Sequence, residues 1–311
     1  MKIFNSLGDV KNIEPTVIAL GNFDGVHRGH QEIIGRTVKS AEAAGLKSAV
    51  FTFSNHTRTL LEKVPTVKNI NYPEEKAAII REMGVDYMFN IPFTQQILKM
   101  KPEEFVDRLL IKKFRIREAY CGFNYHFGYK AAGNPEILMR EGLKKGFGIH
   151  VQEPYKIDGI VVSSTYIRGL IEEGRMEECA KFMGRPYSIG GEVVVGNKLG
   201  RTIGFPTSNI MIDESMVSPP NGVYTTFCIY NGVRYPSITN VGVKPTIGVY
   251  GKNVETHIFN FDSELYGKNI KVEFIRKTRD EMKFDSVEAL SAQIKSDCIR
   301  AKAYHREKGS L

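Results

Sequence analysis

At 311 residues the chain exceeds an ordinary single domain and is long enough for two, each with its own core. Hydrophobic residues make up 42% and charged residues 25%, the proportions of a folded globular protein, which argues against disorder and fibrous repeats. The net charge of +8 divides evenly, with 26 basic and 22 acidic residues through position 184 and 17 and 13 beyond it; no polybasic tail marks a nucleic-acid arm, and two sites for phosphorylated small molecules suit the balance better.

From the N-terminus, short apolar runs alternate with segments of helical period. "TVIAL" (16–20), "SAVFTF" (48–53), "VDYMFNI" (85–91), "REAYCG" (117–122) and "GIHVQ" (148–152) are expected strands. "HQEIIGRTVKSAEAAG", "PEEKAAIIREMG", "KPEEFVDRLLIKKF" and "PEILMREGLKKG" are expected helices, starting at Pro-Glu or ending at Gly. This alternation predicts a doubly wound parallel sheet with ligands at the carboxyl ends of its strands. After "SSTYIRGLIEEGRMEECAKFMG" the texture changes to short β-branched and aromatic runs: "GGEVVV", "GVYTTFCIY", "GVRYPSITNVG", "VETHIFNF" and "NIKVEFIR". With an Asn-Gly hairpin signal in "YNGV" (230–233), these predict a small antiparallel barrel or sandwich. A last helix is expected from 286, with Asp285 and Glu288 spaced as a capping box. The domain boundary is placed at 184/185, giving domains 1–184 and 185–311.

Cys121, Cys179, Cys228 and Cys298 form no CxxC pair and are expected to be reduced, structural thiols. With no charged-then-apolar leader and no apolar run near membrane-spanning length, the expected compartment is the cytoplasm, with no membrane partner.

The segment "VIALGNFDGVHRGHQEII" reads as strand, glycine loop and helix. A helix starting near Arg28 would place His27 and His30 at its positive end, where backbone N–H groups favour a phosphate. Asp24 sits in the turn, and Gly21, Gly25 and Gly29 permit close backbone approach. The same two imidazoles also fit a packing pair, or a zinc site if His56 or His126 supplied a third ligand. The order strand, GxFDGxHxGH, helix resembles the HxGH signature of the nucleotidylyltransferase superfamily, which implies nucleotide transfer from a triphosphate onto a phosphate, with Phe23 among the loop positions. "VVSSTYIRGLI" (161–171) resembles that superfamily's second signature. Ser163, Ser164 or Thr165 would cap a helix there, leaving N–H groups for phosphate, and Arg168 would stabilise the leaving β,γ-phosphates. "CGFNYHFGYKAAGN" (121–134) resembles the glycine and aromatic loop of bacterial FAD synthetases, implying flavin contacts from Asn124 and Phe127; the alternating Phe123, Tyr125 and Phe127 suit either stacking against a ring or core filling. "FTFSNHTRTLL" (51–61) matches another segment of that family, with Ser54, Asn55 and Thr57 where prolines are usual.

In the second half, "GNKLGRTIGFPTSNI" (196–210) is a glycine-rich turn closing on Pro-Thr-x-Asn. Gly196, Gly200 and Gly204 would let main-chain amides wrap phosphates, while Thr207 and Asn209 offer hard oxygens for Mg²⁺. No GK[ST] ends the turn, so it is not a Walker A loop. It resembles the GRxxGFPTxN signature of riboflavin kinase, a small β-barrel, and "NVGVKPTIG", "VETHIFNFDSELYG" and "RDEMKFDSVEALSAQIKSD" resemble that family's later landmarks. The resemblance implies Glu255 as general base, Lys198 at the ATP, and Arg279 and Phe284 on the flavin side. Val195 stands where bacterial members often have histidine. The two motif sets follow the order of bacterial bifunctional riboflavin kinase/FMN adenylyltransferases. That implies riboflavin, FMN and ATP as substrates, FAD, ADP and pyrophosphate as products, Mg²⁺ as cofactor and no nucleic-acid partner, and it leaves a homo-oligomer open. The alternatives are an adenylyltransferase with a weakened kinase half, or a non-catalytic flavin-binding regulator.

Overall fold

The structure is a computed structural model that describes residues 1–54, 67–196, 200, 203–246 and 249–310. By its internal contacts the chain separates into two compact units, Met1–Ser164 and Thr165–Leu311.

The first unit is built on a six-stranded sheet in the order β1-β4-β3-β2-β5-β6, every pairing parallel. Its strands are β1 (Lys2–Phe4), β2 (Thr16–Leu20), β3 (Lys47–Phe53), β4 (Tyr87–Ile91), β5 (Ile116–Gly122) and β6 (Gly148–Gln152), and a short antiparallel pair, β7 (Lys156–Ile157) and β8 (Ile160–Val161), follows them in the chain. All five residues of β2 are buried, as expected of a central strand covered on both faces. One face packs a core of Phe4, Ile18, Phe51, Phe89, Phe105 and Phe114, the other Val17, Phe23, Ile34, Val50, Ile80 and Met88. Helix α1 (Arg28–Ala44) follows β2, and α2 (Pro73–Glu82) precedes β4. The expected helix 101–114 is one α turn, Pro102–Phe105, continued by π-type Val106–Lys113. Strand β1 escaped the sequence reading because its three residues, only one of them buried, carry no readable period.

The second unit begins at the second residue of the helix Ser164–Glu172; a further helix, Met176–Met183, packs on strands of the sheet that follows. That sheet is antiparallel throughout, in the order β10-β13-β12-β11-β14-β9. Its members are β9 (Tyr187–Glu192), β10 (Ser208–Met211), β11 (Gly222–Tyr230), β12 (Val233–Thr246), β13 (Val249–Ile258) and β14 (Asn269–Asp280). A bridge from Val194 to Asn209, with Val194 N–H donating to Asn209 O at 2.8 Å, brings its two edges together into a nearly closed barrel. The Asn-Gly hairpin is present: Tyr230 pairs with Val233, and Asn231 and Gly232 have φ of 49° and 77°, as a two-residue primed turn demands.

Strand β10 was not expected, because "SNIM" has no β-branched alternation. The first barrel strand lies at 187–192 rather than 190–195, since the pairing with β14 extends to Tyr187. The last helix, Val287–Glu307, is capped by Ser286, whose hydroxyl accepts from Ala289 N–H at 3.1 Å. The expected Asp285 cap is displaced by one residue, because the serine already reaches the third free amide. All four cysteines are free and buried. Burial pushes the thiols of Cys121, Cys179 and Cys228 up to about 12 and that of Cys298 up to about 11, which leaves them protonated and inert near neutrality. Among the described residues no helix is long and apolar enough to cross a membrane.

Candidate active sites

The loop after β2 carries the first site. Leu20 ends the strand, Gly25 turns with φ 82°, and Phe23 and Val26 also hold positive φ of 49° and 35°. The chain thereby reverses sharply and starts α1 at Arg28. His27 is itself the N-cap: its Nδ1 accepts from His30 N–H at 3.2 Å. Accepting at Nδ1 places the ring proton on Nε2, so this imidazole is a neutral donor. The His27 and His30 rings stack with centroids 3.6 Å apart and planes 14° from parallel. Two imidazoles therefore lie together at the positive end of a 17-residue helix, at the carboxyl end of the central strand, where an anion is favoured.

Asp24 builds the loop: its Oδ1 accepts from Ile70 N–H at 2.9 Å, and its backbone O accepts from the Ser164 hydroxyl at 2.9 Å. The second bond holds Ser164, the first residue of the helix Ser164–Glu172, at the histidine loop. Thr165 is exposed and Arg168 part-buried on that helix, both within the second unit. Phe23 is fully buried and meets His30 edge-on at 5.2 Å. Its side chain belongs to the core beneath the loop, which leaves only its backbone for a nucleotide. Gly21 follows β2 directly, and Gly29 lies beneath the His27 ring, where a Cβ would touch it at 3.4 Å. His126 faces solvent and bonds to Asn124 O, His56 lies outside the described residues, and no metal-binding group of three His, Cys, Asp or Glu occurs among the described residues.

In the 121–134 loop Asn124 is exposed, while Phe127 is buried. Phe127 packs on Phe105 at 5.1 Å and Tyr125 at 5.7 Å. Of the two uses open to Phe127, the structure shows core filling; the exposed aromatics of this loop are Phe123 and Tyr129, 45% and 44% exposed.

The second site lies on the barrel where β10 meets β13. Asn209 pairs with Glu255 across β10 and β13, and Asn240 pairs with Glu255 from the other side, so three polar residues form a row on one face. The Thr207 hydroxyl donates to Glu255 Oε1 at 2.8 Å, and Asn253 Nδ2 donates to Asn209 Oδ1 at 3.1 Å. The glycines are sites of close approach: a Cβ at Gly196 would stand 2.7 Å from Asn209 Nδ2, and one at Gly200 2.4 Å from Phe205 O. Gly204 turns with φ 83°, and Lys198 lies outside the described residues. Gly196, Thr207, Asn209, Thr256, Phe261 and Tyr266 are among the residues lining one cleft.

Arg279, expected beside a flavin, makes a two-pronged ion pair with buried Asp297, Nε at 2.9 Å and Nη2 at 2.8 Å, and its Nη1 donates to Asp280 O at 2.8 Å. It ties the last helix to β14. Phe284 lies 6.0 Å from that guanidinium.

A family model described as FAD synthetase matches residues 9–166, and one described as riboflavin kinase matches residues 183–305. A bifunctional riboflavin kinase/FMN adenylyltransferase of Bacillus subtilis is 35% identical over 93% of this chain and 92% of its own length. The chain belongs to the bifunctional riboflavin kinase/FMN adenylyltransferase family. The corresponding protein of Escherichia coli is 31% identical over 94% of the chain and 93% of its own length. A solved structure from Streptococcus pneumoniae, titled a macrolide-efflux protein, superposes with a TM-score of 0.88 at 29% identity over 96% of this chain and 98% of that one. Its title carries no argument for transport here, because both family models match this chain.

Within the FAD synthetase half, one residue that sequence reading missed stands close to the histidine loop. Lys76 of α2 directs its ammonium at Asn22 O, Thr52 Oγ1 and Phe53 O, at 3.5, 3.3 and 3.4 Å. Its only signal in the sequence was a lysine in the first turn of a helix, where the macrodipole disfavours a cation.

Proposed function

We propose that His27 and His30 at the start of α1, and Thr207, Asn209 and Glu255 on the barrel, carry the two reactions of this bifunctional enzyme. The barrel half phosphorylates riboflavin with ATP, giving FMN and ADP. The parallel-sheet half transfers the adenylyl group of a second ATP to FMN, giving FAD and pyrophosphate. The observation that carries the reading is the pair of stacked imidazoles at the start of α1, one of them its N-cap.

In adenylyl transfer, an FMN phosphate oxygen attacks the α-phosphorus of ATP in line, and the bond from that phosphorus to the β-phosphate oxygen breaks. The amides of the Gly21–Gly25 loop, the Nε2–H of His27, and His30 hold the triphosphate and meet charge as it moves onto pyrophosphate. The N–H groups at Ser163, Ser164 and Thr165 extend that cradle, and Arg168 neutralises the leaving group. Asn124 and exposed Phe123 offer an amide and a ring to the flavin, with Phe127 buttressing the loop from the core.

In the kinase half, Glu255 accepts the proton of the ribityl 5′-hydroxyl as its oxygen attacks the γ-phosphorus and ADP leaves. The Thr207 hydroxyl, donating to Glu255, holds the carboxylate in place while keeping lone pairs for a cation. Together with the Asn209 carbonyl it forms a sparse hard-oxygen set, suited to a Mg²⁺ that keeps phosphate and water as its remaining ligands. Bound there, Mg²⁺ would offset the phosphate charge. Arg279 and Phe284 act on the flavin side through the position of the last helix. The functional boundary is drawn at 184/185, with residues 1–184 serving adenylylation and 185–311 phosphorylation.

Incubation of the purified protein with riboflavin, ATP and magnesium, followed by separation of the flavins, tests the reading. FMN and then FAD are expected. FAD made only from added FMN would leave the kinase half inactive, and binding without turnover would reduce the protein to a flavin-binding regulator.

A further inference from the structure

The loop that carries the two histidines is a strained piece of chain. Three of four successive residues, Phe23, Gly25 and Val26, lie at positive φ, a region that costs a phenylalanine or valine free energy unless the surroundings impose it. Something must hold the loop in this shape for the amides and imidazoles to face one phosphate. Two of the constraints are the bonds to Asp24 already described. The third comes from a different element. Thr52, at the carboxyl end of β3, donates from its hydroxyl to Asn22 O at 2.8 Å, and the Lys76 ammonium lies within 3.5 Å of that same carbonyl, of Thr52 Oγ1 and of Phe53 O. A primary ammonium has three protons, and three acceptors surround this one. It thereby joins α2, the end of β3 and the phosphate loop at a single point.

We infer that Lys76 is a positioning residue of the adenylyl-transfer site, its ammonium clamping the Asn22 carbonyl to the end of β3 so that the His27 and His30 end of α1 meets the triphosphate in register. The inference rests on the proposed role of His27 and His30. The clamp is electrostatic as well as geometric. Burial lowers the Lys76 pKa, and the Asp24 carboxylate nearby opposes that shift. A charge-assisted bond to a carbonyl is also stronger than a neutral one. Without it the loop is free to relax toward ordinary φ values, and the imidazoles move relative to the strand ends. A displacement of about 1 Å in such a site is enough to cost roughly 10²-fold in rate.

The test uses the full chain. K76M and K76R are assayed for FAD formation from FMN and ATP, and for FMN formation from riboflavin and ATP, with thermal unfolding recorded alongside. K76M is expected to lose about 10–100-fold in adenylylation, mostly in kcat rather than in the KM for ATP, while phosphorylation stays at the wild-type rate. K76R, which keeps the cation, is expected to recover a large part of the loss. A third variant, K76C, is treated with 2-bromoethylamine, which forms a thioether and restores an ammonium of lysine length. Because all four native cysteines are buried, position 76 is the preferred target, and adenylylation should rise in the same protein sample. K76M with wild-type adenylylation would overturn the inference. So would a K76R or alkylated K76C protein that is folded yet as slow as K76M, since that would make the side chain's packing rather than its charge decisive. Wild-type protein that forms no FAD would instead refute the proposed role of His27 and His30.

Discussion

Changing Asp297 to Asn isolates the interaction that docks the last helix on the barrel. Asp297 is buried and takes two prongs of the Arg279 guanidinium at 2.9 and 2.8 Å, while Gln293 donates to its other oxygen at 2.9 Å. Removing one partner of a buried ion pair costs about 3–5 kcal/mol, because the remaining charge stays behind without compensation. Arg279 keeps 14% of its side chain in solvent and retains its bond to Asp280 O, which places the expected loss at the lower end, about 3 kcal/mol. For a unit of this size each kcal/mol lowers the midpoint by about 2–4 °C, so the barrel's transition is expected about 6–12 °C lower in D297N. The chain has no tryptophan, so circular dichroism follows unfolding, read with the phosphorylation activity that survives heating. Replacing both charges, as in R279M/D297L, should restore most of the midpoint, because a buried pair exchanged for packed apolar groups is often neutral. An unchanged midpoint in D297N combined with a raised KM for riboflavin would refute the reasoning and assign Arg279 to flavin contact.

H30A should lower FAD formation by about 10²-fold or more, by removing a donor from the triphosphate, and leave FMN formation intact; equal loss of both activities would contradict separate sites. E255Q should do the reverse, with phosphorylation down about 10²–10⁴-fold, and an unaffected phosphorylation rate would remove Glu255 from the role of base. Burial holds the His305 imidazole below its ordinary pKa, with Arg234 and Arg276 adding to the shift and bonds to backbone at Ser237 and Thr226 opposing it. The unfolded chain therefore binds a proton that the folded barrel resists. Its stability contribution is full above about pH 6.5 and falls by about 1.4 kcal/mol per pH unit as pH drops from there toward the folded-state value. Denaturant midpoints at neutral and mildly acidic pH should draw closer together in H305F than in wild type, and the same acid dependence in both proteins would rule His305 out.

Local pattern determined much of this protein. The five longer strands of the parallel sheet were legible because each is a continuous apolar run between breakers, and α1 was legible because its glycine loop and amphipathic period are both short-range features. The barrel was visible for the same reason, as was the Asn-Gly turn. The glycine and histidine loop and the Pro-Thr-x-Asn turn stand out as candidate phosphate sites because their residues are neighbours in sequence. Strands of three or four residues, β1 and β10, were not, since they are defined by their partners rather than by any period of their own.

Tertiary packing alone decided which way the side chains of those motifs face. Phe23 and Phe127 stand in the motifs by their spacing, yet each fills a core, leaving Phe123 and Tyr129 as the exposed rings of the 121–134 loop. Arg279 follows the family's order of landmarks, but its partner Asp297 lies eighteen residues further on, on the last helix, beyond the reach of any local pattern. Lys76 carries no motif at all, and its three acceptors come from the ends of two strands, brought together by the parallel sheet. Sequence specifies which groups are available and the local turns that carry them. Burial and long-range pairing decide which of those groups remain exposed for chemistry, because each buried polar atom must find a partner that the sequence places far away.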